Sequence, residues 1–405
     1  GGSVTVANSV SVSGTGIGGN GAIESVQGNN TVSGNVVLTA WNTGALGQTD
    51  GTNGNTTIGV DAGTLTISGT FTHAYVDTTG ATGNTITKTG AGTLIVNRFS
   101  DTVAANGSGI GTTSAQAPLA GVAVNQGYVA IAPSGTISLP DGSYANLTTS
   151  TSYVDSLTIA PGATLDMNNN SMVIEYGSGP SPVGDLSFAH TARNYPTGSI
   201  QRYAQTAIDG LNWDGPGLTS SVAENDPSGL TAIGIVDEND LGIYPTDNTV
   251  ADGGTGTWQG IPINDTNNVL VRLTYYGDGN DDGVVNKLDV TALSQGYSGL
   301  AGYVGWSDGD YNYDGQINKN DVSLLAASYV FQGAPLGNAI TPGQAQYLLA
   351  LDPDMPANVQ AEFDAIAAGQ TPEPSSAAVL GAAVTGLLAR RRRRATGYQN
   401  RSRMM

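Results

Sequence analysis

From Gly1 to Met172 the chain is built from short runs that alternate apolar and polar residues and are cut off by Gly, Asn, Asp and Ser. Val4–Val6, Val10–Val12, Thr64–Ile67, Thr93–Val96, Val122–Val124, Tyr128–Ile131 and Leu157–Ile159 are examples. A period of two makes each run a strand with one buried face, and almost nothing between the runs has the spacing of a helix. Recurrence of this kind is the pattern of a solenoid. Each coil stacks on the next, inward Leu, Ile and Val form one continuous core, and outward Thr, Ser and Asn line up in ladders. The charge agrees: only eight charged residues fall in the first 150, since like charges stacked on neighbouring strands repel. A β-sandwich is the competing architecture.

A second pattern lies near the other end. Asp278, Asn280, Asp282, Val284, Asn286 and Asp289 occupy positions one, three, five, seven, nine and twelve of a loop, and Asp310, Asn312, Asp314, Gln316, Asn318 and Asp321 repeat the spacing. Calcium takes six to eight hard oxygens, and a chain supplies them from those positions if it turns sharply at position six. Gly283 and Gly315 stand there. The ligands would be the side chains of Asp278, Asn280, Asp282, Asp289 and their counterparts, Asn286 and Asn318 directly or through water, and the carbonyls of Val284 and Gln316. Three carboxylates around one point repel each other without a cation, so the segment is expected to be poorly ordered without calcium. An acidic, turn-rich linker is the bland alternative, because Asp, Asn and Gly are ordinary turn residues. Two complete copies in tandem weigh against it.

Position twelve is Asp rather than Glu, and Val269–Tyr275 before the first loop reads as a strand, not a helix. Helical spacing follows each loop, through Leu288, Val290, Leu293 and through Val322, Leu324, Leu325. A loop followed by one helix, given twice, resembles the type I dockerin domain over roughly Tyr276 to Gln332. The resemblance implies two calcium ions and a cohesin-like protein partner. In that family recognition lies at loop positions ten and eleven, here Lys287 and Leu288, and Lys319 and Asn320.

The 405 residues leave room for two or three domains. With no cysteine, disulfides, thiolate metal sites and cysteine nucleophiles are excluded. The net charge of −19 conceals an asymmetry, since seven of the fourteen basic residues lie from Arg390 onward. The acidic body disfavours nucleic acid as a partner. Catalysis has few candidates. Asp155, Asp166 and Glu175 are acids on strands, where glycoside hydrolysis would need two carboxylates at a set separation. His73 and His190 stand in no recognisable motif, and the basic residues before Tyr276 are only Lys88, Arg98, Arg193, Arg202 and Arg272.

Thr85–Val96, with its Lys88, Thr89, Gly90, Gly92, Thr93 and Leu94, resembles the autotransporter-associated β-strand repeat, and Ala22–Leu38 looks like a further copy. That resemblance implies a right-handed parallel β-helix. Between it and the loops, a helix is expected around Ser199–Asp209, and Trp213 is either a cap residue or a platform for a sugar ring. This stretch resembles a segment that precedes dockerin-like modules in planctomycete-type surface proteins. At the far end, Pro372, Glu373 and Pro374 precede the apolar run Ala377–Ala389 and then Arg390, Arg391, Arg392, Arg393 and Arg394. This order resembles the PEP-CTERM sorting signal and implies processing by an exosortase-type enzyme. The apolar run is short of the roughly twenty residues that span a bilayer, which suits transient membrane retention with the arginines inside.

The expected fold is therefore mainly β. A right-handed parallel β-helix over 1–172 leads through an irregular α+β cap at 173–275 into a small α-helical, dockerin-like domain at 276–332. A linker with one or two short helices follows at 333–371, and a sorting signal with a short apolar helix at 372–405. The expected function is that of a non-catalytic, secreted or cell-surface bacterial protein with calcium-dependent docking. The alternatives are an enzyme or accessory subunit of polysaccharide breakdown, hydrolase or lyase, and an adhesin that binds an extracellular polysaccharide.

Overall fold

The computed structural model describes residues 2–39, 55–73, 84–103, 116–134, 150–186, 194–239, 256–263, 267–300, 303–332 and 339–370. The expected sorting signal at 372–405, its arginines included, lies outside them, as does His190. Among the described residues no helix is long and apolar enough to cross a membrane.

Successive strands visit three sheets in turn. One sheet stacks Thr5–Val6, Asn29–Val32, Thr64–Ile67, Thr93–Val96, Tyr128–Ile131, Thr164–Asp166 and Gly217–Thr219. A second stacks Ile23–Ser25, Thr56–Val60, Thr85–Thr89, Gly121–Val124 and Leu157–Ile159. The third holds Val10–Val12, Val36–Leu38, Phe71–His73, Asp101–Val103 and Gln116–Ala117, with only the last pair antiparallel. The period-two runs thus become strands, and their parallel pairing is incompatible with a sandwich of antiparallel sheets.

Register explains why the sheets hold. Leu65, Leu94, Val129, Leu165 and Leu218 stand directly above one another, as do Ile67, Val96 and Ile131, and all are buried. A slip of one residue would turn the whole column to solvent. The second sheet has one exception in its inward column. Lys88 lies between Ile58 and Val124 in register and is buried like them. Its ammonium donates to the carbonyls of Gly90 at 2.6 Å and Gln126 at 3.1 Å, so it ties together the turns of two adjacent coils. Burial lowers its pKa to about 8, with Asp61 acting in the opposite direction.

The end of this stack merges into a four-stranded sheet ordered Thr151–Val154, Ser171–Glu175, Asn268–Tyr275, Thr231–Asp237. Its first pair is parallel and the others are antiparallel. Helix α1 (Ile200–Ala207) falls where the sequence places a helix, capped by the Ser199 hydroxyl, which accepts from the Arg202 amide at 3.1 Å. The short α2 (Ser221–Asn225) precedes Thr231–Asp237. Asn268–Tyr275 lies between two strands of the sheet and leads straight into the first acidic loop. Helices α3 (Lys287–Tyr297) and α4 (Lys319–Phe331) follow the two loops. Residues 341–368, expected as linker with short helices, form α5 (Pro342–Leu351) and α6 (Ala357–Ala367). They are packed rather than strung out: Leu348, Val359 and Phe363 are buried, and the Phe363 ring meets that of Tyr329 on α4 at 5.7 Å.

Candidate metal centre

The two acidic loops have the same hydrogen-bond frame. Asp278 Oδ1 accepts from the Asp282 amide at 3.1 Å and its Oδ2 from the Gly283 amide at 2.8 Å; Asp310 accepts from Asp314 and Gly315 at the same distances. Asp289 Oδ1 accepts from Gly279 at 2.9 Å and Asn280 at 3.4 Å, and Asp321 Oδ1 from Tyr311 at 3.0 Å and Asn312 at 3.3 Å. Their Oδ2 atoms accept from the Asn286 and Asn318 amides at 2.7 and 2.9 Å. Asn286 and Asn318 in turn cap α3 and α4, and with Asp289 and Asp321 they complete capping boxes. The turn needs left-handed backbone: φ is +90° at Gly283 and +76° at Gly315, and the residues at position four, Asp281 and Tyr313, are at +59° and +53°.

Burial makes these carboxylates costly. The carboxyls of Asp278 and Asp310 are pushed up to about 7, mainly by burial and further by Asp282 and Asp314 respectively. Asp289 and Asp321 stand well above the ordinary carboxylate range, again through burial and then through Asp278 and Asp310. Among the described residues, no three His, Cys, Asp or Glu side chains gather closely enough to form a metal cage by themselves. Besides carboxylates, the loops contain asparagine amide oxygens and backbone carbonyls, and oxygen donors of this kind are what a hard cation takes. Such a cation would also compensate the buried charge, so the residues fit calcium.

Both loops are fastened to residues that precede them in the chain. Asp278 Oδ2 accepts from the hydroxyl of Thr274, and Asp310 Oδ2 from the phenol of Tyr195 at 2.5 Å. The carbonyl of position four receives Arg272 Nη1 in the first loop, at 3.1 Å on Asp281, and Gln205 Nε2 in the second, at 2.7 Å on Tyr313. Trp306 donates to the Asp278 carbonyl at 2.6 Å, and the Tyr313 hydroxyl donates to the Ile233 carbonyl at 2.8 Å. The rings of Trp306 and Tyr313 stack at 5.5 Å, and Trp213 meets Tyr313 edge-on at 6.2 Å. Trp213 is fully buried and donates to the Tyr276 hydroxyl at 2.8 Å, so its indole offers no platform to a sugar. Sequence reading counted Arg272 only as a rare basic residue, and Tyr195, Gln205 and Thr274 carried no signal, because only the fold brings them to the loops.

Lys287, Leu288, Lys319 and Asn320 open helices α3 and α4. The α5–α6 pair lies beside these turns: Gln344 Nε2 donates to the Lys287 carbonyl at 2.9 Å, and Lys319 Nζ pairs with Asp354 at 3.1 Å. Of the acids considered for catalysis, Asp155 and Glu175 lie close enough to interact, while Asp166 is bonded within the fold. Asp166 is committed to the Tyr128 hydroxyl at 2.8 Å and to the amides of Asn168 and Ser221 at 2.8 and 2.9 Å. Glu175 accepts from the Tyr153 hydroxyl, and Asp155 is pushed up to about 6 by burial and then by Glu175.

Paired acidic loops, each running into a helix capped by the loop's own Asn and Asp, define a loop–helix calcium-type module. Residues 276–328 match the model of the Dockerin type I domain, and a type I dockerin domain therefore lies there. Domains of that family bind calcium and mediate protein–protein docking in extracellular assemblies. No curated protein and no solved structure matches the chain.

Proposed function

We propose that this is a non-catalytic secreted or cell-surface protein in which a right-handed parallel β-helix carries a calcium-dependent docking module for a cohesin-like partner. The observation behind it is the frame shared by the two loops inside the dockerin match. In this reading two calcium ions are held, one by Asp278, Asn280, Asp282, Val284, Asn286 and Asp289, the other by Asp310, Asn312, Asp314, Gln316, Asn318 and Asp321. Bound calcium supplies the charge that lets these carboxylates ionise together inside the fold. Lys287, Leu288, Lys319 and Asn320 then face the partner. The division is a solenoid at 1–172, a cap at 173–275, the docking domain at 276–332, and a sorting signal at 372–405 that an exosortase-type enzyme would process after transient retention in the membrane.

The test is capture from the envelope fraction of the source cell by the full chain, once with calcium and once with chelator. A protein partner retained in calcium and released by chelator is expected. Equal retention under both conditions, or none, would remove the docking reading. Reducing-sugar release from a polysaccharide panel is expected to be nil, and turnover would point to the enzymatic alternative.

A further inference from the structure

The two loops meet at their second residues. Gly279 follows the first acid of one loop and Tyr311 the first acid of the other. A Cβ on Gly279 would lie 3.0 Å from the Tyr311 hydroxyl oxygen, and Gly279 has no left-handed φ, so the phenol rather than a turn calls for glycine there. Tyr311 is fully buried, and its hydroxyl finds no hydrogen-bond partner among the described residues. Burial raises its pKa well above the ordinary value, and the carboxylates of Asp289, Asp321 and Asp278 add to the rise, which places the phenol among acids of both loops. Each second residue is also tied to the last acid of its own loop: the Gly279 amide donates to Asp289 Oδ1 at 2.9 Å, and the Tyr311 amide to Asp321 Oδ1 at 3.0 Å. A parallel link runs through Trp306, which donates to the Asp278 carbonyl at 2.6 Å and meets the Tyr311 ring edge-on at 5.2 Å.

We infer that Tyr311 couples the two loops, so that calcium bound in either one prepares the other and the two sites fill together. This rests on the calcium reading above and adds a connection to it. Without the ion the acids of a loop repel one another, and the hold of Asp289 or Asp321 on the second residue loosens with them. An ion in the first loop steadies Asp289, which fixes the Gly279 amide and so forms the seat against which the Tyr311 phenol lies. An ion in the second loop steadies Asp321, which fixes the Tyr311 amide and holds the same phenol against Gly279. Whichever loop fills first therefore orders a contact that the other also needs, and the second ion meets a frame already in place. Tyr311 is a positioning residue, since it acts through the second-residue backbone and not as a ligand.

The experiment is a calcium titration of the full chain followed at the backbone amides of Gly283 and Gly315 by NMR. Both signals should move over the same interval of free calcium, along a curve steeper than that of a single site. Two separate curves, or a common curve no steeper than a single site, overturn the inference while leaving calcium binding intact. A titration that moves neither glycine overturns the calcium reading with it. Gly279→Ala disturbs the first loop directly by crowding the phenol, yet the Gly315 midpoint should rise about ten-fold together with that of Gly283, within the usual range of coupling between sites. A rise confined to Gly283 overturns the inference. Tyr311→Phe keeps the ring and removes the oxygen that crowds the new methyl, so Gly279→Ala in that background should return both midpoints towards the unmodified value. A shift that persists there overturns the part given to Tyr311. A variant that fails to fold leaves the steepness of the unmodified curve as the deciding result.

Discussion

Without calcium, the docking domain should lose stability as pH rises through neutrality, opposite to a domain held by ordinary salt bridges. Asp278 and Asp310 have carboxyls at about 7 in the folded state against about 3.8 in the unfolded chain. The folded state therefore binds more protons than the unfolded one across that interval, and stability falls with pH there. The stabilisation is fully present below the unfolded value and gone above the folded one. At about 1.4 kcal/mol per unit, the two groups together lose roughly 5 kcal/mol between pH 5 and pH 8. Asp289 and Asp321, raised for the same reasons, act in the same direction. Such a loss is comparable with the whole stability of a small domain. Calcium replaces the protons as the compensating charge, so the slope should flatten or reverse when it is saturating. The assay is urea unfolding read by tryptophan fluorescence, since Trp213 and Trp306 lie in the adjoining core, at pH 5, 6, 7 and 8, with calcium and with chelator. A chelated protein whose midpoint is level or rises over that range would refute the reasoning. Asp155, raised to about 6, adds a small component that calcium leaves unchanged.

Other perturbations separate the parts of the molecule. Lys88→Ala removes the donor to two turn carbonyls and opens a hole in an apolar column; a loss of about 2–4 kcal/mol is expected in the thermal unfolding of the parallel-sheet region, with calcium affinity unchanged by calorimetry. Gly234→Ala would bring a methyl within 2.8 Å of Asp281 Oδ1 and 3.1 Å of Trp306 Nε1, and should cost about 1–3 kcal/mol by overpacking, lowering calcium affinity as well. Asp354→Ala breaks an ion pair whose side chains are 56% and 76% exposed, so less than about 1 kcal/mol of stability should be lost.

The sequence is most informative where periodicity or spacing is strict. Alternation at Thr64–Ile67 and Thr93–Val96 places both strands and their inward residues, and the one-three-five-six-nine-twelve spacing places every loop side chain that later proves to share the frame. It is silent where contacts are long-range. Tyr195 reaches Asp310 across 115 residues and Tyr313 reaches Ile233 across 80, and no local pattern encodes such pairings. Lys88 inside an apolar column contradicts binary patterning until its two carbonyl partners, one of them on the next coil, are known. For residues 341–368 the turn-rich flanks obscured the apolar positions, Leu348 and Phe363 among them, that fix the helices onto α4.

The distribution of lysines has a practical outcome. The chain contains three: Lys88 buried among the parallel sheets, and Lys287 and Lys319 opening the helices of the docking domain. Among the lysines of this chain, an amine-directed cross-linker would reach chiefly the two that open the helices after the acidic loops. A covalent adduct formed with a captured partner would then report the geometry of that interface almost without background from the rest of the surface.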